Sequence, residues 1–427
     1  MKNSTVVLLA AAAILLSPAL SRSQGGSTAV PFLLIPPAPE GLGIGGGSAS
    51  LPTTDAIATV VNPGQLGLFS LTNLFNASTY APRSSSFLQY KLPDMSYGVT
   101  ALNAGYNFRS LLSLPFDFSA GLGYSRVSLD LGTFNVTNSG GPTVIGKFEA
   151  KEYSENLSVG VGLDYYIQIG LGFNFKRIVS ELSPIGTEQG AATGKSSATD
   201  FGLLVNVPVL GIASNLSGAS LEIAPQITPF LDLSSGYVKA NVGPEMTYGD
   251  PAQADPLPRT AVLGLSIGTG LTMKTGKTDW QLASFRLVHQ ADDLLVTRNS
   301  DGTFNYQSGL GDIQFWNDVV LGKCNPLVTS RRGWQLQVGE FFSWREGSVA
   351  TPGYSPATTS GYSICLGGLL KFINAISQSP DADGSWLAFA KEHFDLQFHS
   401  AKYTPASSAE GSTTAQSLNL VVKGFSF

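Results

Sequence analysis

The sequence predicts an all-β fold: a transmembrane antiparallel up-and-down β-barrel of about 14 strands, with an N-terminal plug segment. Three observations predict it. The run Val159–Phe175 alternates between two kinds of side chain, and only 13% of all residues are charged, against about 25% in ordinary soluble proteins. Beyond the N-terminus, no apolar run is long enough for a membrane helix. Composition alone leaves a secreted, soluble all-β protein as the alternative.

The strongest observation is the alternation in Val159–Phe175. Its odd-numbered positions are apolar, and its even-numbered positions are mostly small or polar. A helix does not use this pattern, because its faces repeat at about 3.6 residues, whereas the side chains of a strand alternate. As a single strand the run would span about 56 Å, against an apolar band about 25 Å tall. We therefore expect either a hairpin near Asp164–Tyr166, with an odd-length loop, or a strand that extends beyond the membrane.

Residues 1–21 are predicted to form a signal peptide. Lys2 is basic, Val6–Leu16 is apolar, and Ala19-Leu20-Ser21 matches a small-residue cleavage site. A signal peptide and a barrel together predict export to the outer membrane of a Gram-negative-type bacterium, where outer-membrane lipid is a partner. The formal net charge of −5 argues against a nucleic-acid partner.

Residues 22–85 are predicted to form a Gly/Pro-rich plug in or under the barrel. The prolines between positions 31 and 39 disfavour helix interiors and central strands, and Asn62-Pro63-Gly64 predicts a tight turn. A short helix is expected to begin near Asp55. Gly41–Gly46 matches the G-x-G-x-x-G pattern, but a proline-rich stretch precedes it where a dinucleotide site needs a strand. We interpret these glycines as positions where the backbone packs too closely for side chains.

Residues 86–427 are predicted to form the barrel. Alternating segments separated by turn residues give an even number of strands, as single-chain bacterial barrels require. The predicted strands begin near Phe87, Tyr97, Phe116, Leu157, Ile167, Phe201, Leu221, Ala261, Trp280, Ile313, Trp334, Tyr362, Phe394 and Leu418. Cys324 falls at the end of the predicted strand Asp312–Gly322, and Cys365 falls near the start of a strand two further on. The two thiols are therefore expected on opposite rims, without a mutual disulfide.

The last residues, Gln416–Phe427, are predicted to form the closing strand. An open sheet edge cannot exist in lipid, so the last strand must pair with the first. Gly424, Phe425 and the terminal Phe427 resemble the C-terminal signal that the barrel assembly machinery recognises, which makes that machinery an expected partner.

The sequence nominates no catalytic residues, and we predict neither an enzyme nor a cofactor. His289 lies near Asp292 and Asp293 and is interpreted as part of a solvated rim. One predicted strand face, directed to the lumen, carries four polar side chains: His393, Asp395, Gln397 and His399. Neighbours on such a face are about 6–7 Å apart, which is too far for one Zn²⁺ unless ligands come from elsewhere in the chain. We therefore predict no metal site.

The segment Pro36–Leu66 resembles the start of PorV/PorQ-type proteins, which belong to the wider FadL-like outer-membrane group. It carries a Gly-rich stretch, then Asp55, then Asn62-Pro63-Gly64, where that group commonly has Asn-Pro-Ala. The resemblance implies a FadL-like barrel with the N-terminal segment inside. It also implies a component of type IX protein secretion, which binds the C-terminal domain of exported cargo and passes the cargo to a surface-attachment complex.

Two other functions stay open at this stage. A FadL-like protein can instead transport long-chain fatty acids or other hydrophobic small molecules, which requires an apolar pocket above the plug. The third hypothesis is a structural or general-diffusion barrel, against which the plug argues. Four aromatic residues are interpreted either as cargo contacts or as girdle residues at the lipid interface: Trp334, Phe341, Phe342 and Trp344.

Overall fold

The computed structural model places fourteen antiparallel strands in one closed barrel. It describes residues 28–84, 95–137, 144–187, 190–218, 220–248, 254–275, 278–299, 301–377, 386–407 and 411–423. Each strand pairs with the next one along the chain, except that a small hairpin, β10–β11, is inserted between β9 and β12. The barrel closes where β1 pairs with β16, from Asn73 opposite Lys423 to Ser84 opposite Thr414.

The strands differ in length around the barrel. Those from β3 to β6 have 19 to 22 residues, whereas those from β12 to β16 have 9 to 12. The strands are β1 Asn73–Ser84, β2 Ser96–Asn107, β3 Asp117–Thr137, β4 Val144–Tyr165, β5 Ile167–Thr187, β6 Gly190–Pro208, β7 Ile227–Val242, β8 Thr260–Thr275, β9 Thr278–Leu294, β10 Val296–Arg298, β11 Phe304–Tyr306, β12 Thr329–Val338, β13 Phe342–Ala350, β14 Ala357–Cys365, β15 Phe394–Pro405 and β16 Thr413–Lys423.

The helices are short and lie in the plug or in connections. They are Pro31–Leu34 (3-10), Pro39–Gly43, Ala58–Val61, Gly64–Thr72, Arg109–Leu112, Val209–Ser217, Phe315–Val320 (π), Leu366–Ser377 and Trp386–His393. Within the described ranges, no helix has both the length and the hydropathy to cross a membrane. We call the rim where β1 begins and β16 ends the near rim, and the opposite one the far rim.

The run Val159–Phe175 forms a hairpin with an odd-length loop, as the alternation of its odd- and even-numbered positions predicts. β4 ends at Tyr165, β5 begins at Ile167, and Tyr166 alone turns the chain, with φ of 68°. Val161 lies opposite Leu171, so both strands keep their apolar side chains on the outer face. Phe173 is 42% exposed on that face, whereas Asn174 on the lumen face is fully buried. The two-faced sheet predicted from the sequence is confirmed.

The apolar belt on the outside of the barrel has a sharp upper border. On β4 it runs from Tyr165 to Leu157, nine residues that rise about 21 Å at a tilt near 45°. Immediately above it, the outward Glu155 pairs with Arg126 of β3 (3.4 Å) and Arg177 of β5 (3.6 Å). Charged side chains do not belong at mid-bilayer depth, so these strands continue beyond the apolar belt at the far rim. Of the two sequence alternatives for Val159–Phe175, the hairpin is confirmed and the single overshooting strand is wrong; the extension beyond the belt comes from the residues that precede and follow the run.

The plug fills the lumen from residue 28 to residue 72. Its helix Gly64–Thr72, here called the plug helix, packs against the lumen faces of β2 to β6. The wall is lined there by the even-numbered glycines of the alternating run, and the helix approaches their backbone directly. A Cβ built on Gly64 would lie 2.8 Å from the carbonyl oxygen of Gly170, and one on Gly160 would lie 3.0 Å from the amide nitrogen of Gly67. The glycine-rich face of this hairpin therefore forms the surface on which the plug helix packs.

Several sequence predictions need correction. The first strand begins at Asn73, inside the stretch 22–85 that was assigned to the plug, while Phe87 lies outside the described residues. No barrel strand starts at Ile313, since Phe315–Val320 is a π-helix that packs outside β8 and β9, and β13 supplies the missing strand. The signal peptide, residues 1–21, and the assembly signal of Gly424, Phe425 and Phe427 also lie outside the described residues.

Candidate functional site

The motif at Asn62-Pro63-Gly64 fixes the plug to the long side of the barrel. The Asn62 side chain is fully buried and donates to the carbonyls of Ala49 (2.7 Å) and Leu203 (3.1 Å). Its Oδ1 accepts the amide of Gly64 (2.9 Å), which starts the plug helix. Gly64 does not adopt the positive φ that its turn context suggested. A glycine is needed here because of the close approach of β5 and β6.

The other residue of the predicted plug motif, Asp55, lies on the opposite side of the lumen. It is 3% exposed, and its Oδ1 accepts the amide of Ile57 (3.0 Å) just before the helix Ala58–Val61. Burial is the largest cause that raises the pKa of its carboxyl above the ordinary value, although the nearby His399 opposes the shift. Asp55 and Asn62 therefore do not form one site, because Asn62 bonds to Leu203 of β6, whereas Asp55 bonds within the plug and lies near His399 of β15.

A cavity of about 670 Å³ lies between the plug and the far-rim half of the barrel. Its volume is within the range of small-molecule sites, about 300–1,000 Å³. Much of its lining is apolar and comes from both the plug and the wall: Pro31, Leu33, Leu34, Ile35, Pro36, Pro37, Leu42, Val60, Val61, Val127, Val238, Val262 and Val349. Proline and aliphatic side chains offer no hydrogen bonds, so this far cavity favours an apolar ligand.

The cations that line the far cavity are both neutralised by carboxylates. Lys176 lies 2.8 Å from Asp200, with the two side chains 6% and 1% exposed, and it also donates to Asn241 (2.8 Å). Arg331 pairs with Asp292 at 2.5 Å and donates to the carbonyl of Gly45. Neither cation is left to attract an anionic ligand, because each has a carboxylate partner in direct contact.

A second cavity, of about 320 Å³, lies on the near-rim side of the plug. Its lining is polar, with side chains from the plug and from β9 and β12 to β15: Glu40, Thr53, Asp55, Gln281, Arg286, Gln335, Arg345, Ser363, Asp395, Gln397 and His399. Ala38 and Ser48 line both cavities, so the chain between them forms part of the boundary between the near cavity and the far one.

The partition between residues 38 and 48 is the Gly-rich stretch that matches a dinucleotide motif. The backbone of Gly45 donates to Thr359 (2.9 Å), whose hydroxyl donates to the carbonyl of Gly43 (3.2 Å). A Cβ on Gly43 would lie 3.2 Å from the Cα of Gly361, and Gly45 has φ of 81°. The predicted reason for these glycines, close backbone packing, therefore holds.

One charged pair holds the partition to the short side of the barrel. Glu40 accepts hydrogen bonds from Arg345 (2.8 Å) and from Thr53 (2.6 Å). Burial raises the pKa of the Glu40 carboxyl, but attraction by Arg345 and other neighbours outweighs it and leaves that pKa below the ordinary value. No local pattern in the sequence signals this pair, because the partners are 305 positions apart.

The histidines take different positions from those predicted. His289 faces outward under the π-helix, where its Nδ1 lies 3.2 Å from the carbonyl of Val319, so it is not on a solvated rim beside Asp292. His393 ends a helix at the near rim and is not part of β15. Asp395, Gln397 and His399 do share the lumen face of β15, as predicted.

The two thiols and the four aromatic residues lie at the rims or in the belt. Cys324 is exposed in the far-rim connection between β9 and β12, whereas Cys365 ends β14 at the near rim, and both are free.

Trp344 faces outward at 39% exposure. Phe341 contacts Phe372 of a near-rim helix at 5.0 Å between ring centroids, which places it under that helix and away from the far rim.

Comparison with known proteins gives matches only among solved structures. No family model matches the chain, and no curated protein matches it. Similar solved structures include a FadL homologue from Pseudomonas aeruginosa, which is 9% identical, with 91% of this chain and 98% of that one covered and a TM-score of 0.38. The toluene transporter TbuX from Ralstonia pickettii is 11% identical, with coverages of 91% and 98% and a TM-score of 0.35. The toluene transporter TodX from Pseudomonas putida is 11% identical, with coverages of 90% and 97% and a TM-score of 0.36.

Proposed function

We propose that this chain is an outer-membrane transporter of uncharged hydrophobic small molecules. The single observation that carries the proposal is the far cavity, much of whose lining consists of proline and aliphatic side chains of the plug and the wall. A diffusion pore needs an open lumen, whereas here the plug occupies it and divides the remaining space in two. A hydrophobic molecule would bind first in the far cavity and pass the partition between residues 38 and 48.

The pairing of charges supports the uncharged class over fatty acids. A carboxylate head group buried in the far cavity would have to compete with Asp200 for Lys176 or with Asp292 for Arg331. An unpaired buried charge costs several kcal/mol, so an anionic ligand loses affinity that an alcohol or a hydrocarbon retains. We therefore propose neutral ligands, and the experiment compares the binding of a neutral ligand with that of a fatty acid.

The tight turns support an orientation with the far rim outside the cell. Barrels of the outer membrane have short periplasmic turns and longer outer loops. Two near-rim connections are very short, Tyr166 after β4 and residues 339 to 341 after β12, although residues 366 to 393 form a long one after β14. The longest connection, residues 295 to 328 from β9 to β12, lies at the far rim. The far cavity would then meet ligands that arrive from outside.

The test compares binding of dodecanol and dodecanoate to the full chain in detergent, using radiolabelled ligands and a proximity assay. Dodecanol should bind at least about tenfold more tightly, in line with the cost of an unpaired charge. Val262→Phe adds a ring inside the far cavity and should abolish binding, while the matched Val161→Phe adds the same ring on the lipid face and should leave it intact. Equal binding by both variants would refute the far cavity as the site.

Type IX secretion, which the PorV/PorQ resemblance implies, stays a prediction. It is tested by purifying the chain from outer membranes and identifying what accompanies it. Proteins that share a C-terminal domain, together with type IX components, would support the secretion function. Bound neutral lipids or hydrocarbons would support transport.

A further inference from the structure

We propose that Glu40, Asp55 and His399 form a divalent metal site that ties the plug to the barrel wall. Each residue offers one ligand atom, and the three atoms all lie within 4.8 Å of one another. The two carboxylates come from separate parts of the plug, and the imidazole comes from β15. The sequence analysis predicts no metal site on β15, because the polar side chains of one strand are too far apart to bind one ion without ligands from elsewhere in the chain. Glu40 and Asp55 of the plug are such ligands.

Two polar atoms of these side chains have no hydrogen-bond partner among the residues that the structure describes. Oδ2 of Asp55 and Nε2 of His399 make no hydrogen bond, although the residues are only 3% and 2% exposed. Leaving a buried donor or acceptor unsatisfied costs about 1–3 kcal/mol, and more for a charged group. Both residues line the near cavity and each offers a ligand atom within 4.8 Å of the other's, so one cation bound among them would satisfy both.

The remaining atoms of these side chains are held in place, as metal ligands usually are. Oδ1 of Asp55 accepts the amide of Ile57, and Nδ1 of His399 lies 2.6 Å from the hydroxyl of Ser363. Because the Ser363 oxygen can accept the Nδ1 proton, the lone pair of Nε2 is free for an ion. The hydrogen bonds therefore fix the orientation of both ligands before a metal arrives.

The donor set selects the kind of ion. One imidazole nitrogen and two carboxylate oxygens suit Zn²⁺ and similar first-row ions, which lie about 2.0–2.2 Å from such atoms. All three residues line the near cavity of about 320 Å³, which gives water access to a fourth coordination position. Glu40 also accepts from Arg345, but a carboxylate has about four lone-pair sites and can serve both. The charge of Arg345 lowers the affinity without blocking the site.

A metal bound here would act as a mechanical link. It would join residues 40 and 55 of the plug to β15, on the side of the lumen where the near cavity separates plug and wall. Loading the ion would hold the partition in place, and removing it would leave only the Glu40–Arg345 pair and neighbouring hydrogen bonds. The proposal does not depend on which molecules cross the barrel.

The test measures Zn²⁺ binding to the full chain in detergent after treatment with a chelator. Wild type should bind one ion per barrel, and Asp55→Asn and His399→Gln should each lower the affinity at least about tenfold. His289→Gln is the matched control, because that ring lies outside the barrel, and it should bind as wild type does. Circular dichroism confirms that each variant keeps its strand content.

A second readout does not depend on the variants. X-ray absorption of the Zn²⁺-loaded wild type should show one imidazole and only oxygen atoms otherwise, at about 2.0–2.2 Å. Sulfur in the shell, no saturable binding by wild type, or variants that bind as tightly as wild type would each overturn the proposal. None of these results bears on the dodecanol experiment, so the two proposals fail separately.

Discussion

Placing one methyl group on the lumen face of β4 should loosen the plug. A Cβ on Gly162 would lie 2.7 Å from the carbonyl carbon of Gly67 in the plug helix and 2.5 Å from the hydroxyl of Ser119. That hydroxyl itself donates to the Gly67 carbonyl (2.9 Å), so the helix must move and lose this hydrogen bond. Overpacking of this kind costs about 1–3 kcal/mol, and we expect Gly162→Ala to lower the free energy of unfolding by that amount.

The matched control is the same change on β2. A Cβ on Gly98 would meet nothing closer than 3.6 Å, which is an ordinary van der Waals distance. Gly98→Ala should therefore gain about 0.4–1 kcal/mol through the reduced entropy of the unfolded chain. The two variants should differ by about 1.4–4 kcal/mol in a guanidinium titration in detergent. Hydrogen exchange should accelerate across Gly64–Thr72 only in Gly162→Ala, and equal stability of the two variants would refute the reasoning.

Three further substitutions test the plug and the wall separately. Asp200→Asn should cost about 3–5 kcal/mol in a denaturant titration, because it leaves the buried Lys176 unpaired, and a cost below about 1 kcal/mol would contradict the pairing. Asn62→Ala should cost about 1–3 kcal/mol and expose the plug to protease, since buried carbonyls such as that of Leu203 lose a donor. Tyr166→Gly should change the free energy of unfolding by less than about 1 kcal/mol, because relief of the positive φ is offset by loss of the edge-to-face contact of its ring with Tyr165 (4.8 Å between centroids), and a loss above about 2 kcal/mol would contradict this balance.

The alternation in the sequence was sufficient to predict the two faces of the wall. In Val159–Phe175 large apolar side chains alternate mostly with glycines and polar residues, so the two faces of the strands differ strongly. Only one register places all the apolar side chains on the same face. It could not place β1, because the outward positions Ala77 and Thr79 are small or polar and the inward Tyr80 is large. There the contrast between faces is too weak to distinguish a strand from the plug that precedes it.

A false strand and a missed strand have one cause, which is contact between distant parts of the chain. Ile313 and Val319 look like strand residues, yet they pack with Ala261 and Ala291 on the outside of the barrel as a loop folds back. β13 contains Arg345, which looks wrong for a membrane strand. Its charge is neutralised by Glu40 of the plug, and no local pattern could reveal that partner.

The candidate site was beyond sequence reasoning for the same reason, and its location has a physical consequence. On the side of β2 to β6, the plug helix meets the backbone of glycines, which leaves no room for a ligand between that helix and those glycines. On the near-rim side of the partition, polar side chains of β9 and β12 to β15 hold the plug away from the wall and the near cavity occupies the gap, while the partition itself packs its backbone against these strands at Gly43 and Gly45. Contacts of the second kind can be exchanged with water at little cost, whereas close backbone packing cannot. The proposed transport route is therefore expected to pass through the near cavity, between the polar side chains of the plug and those of the short strands, with the plug helix staying in place.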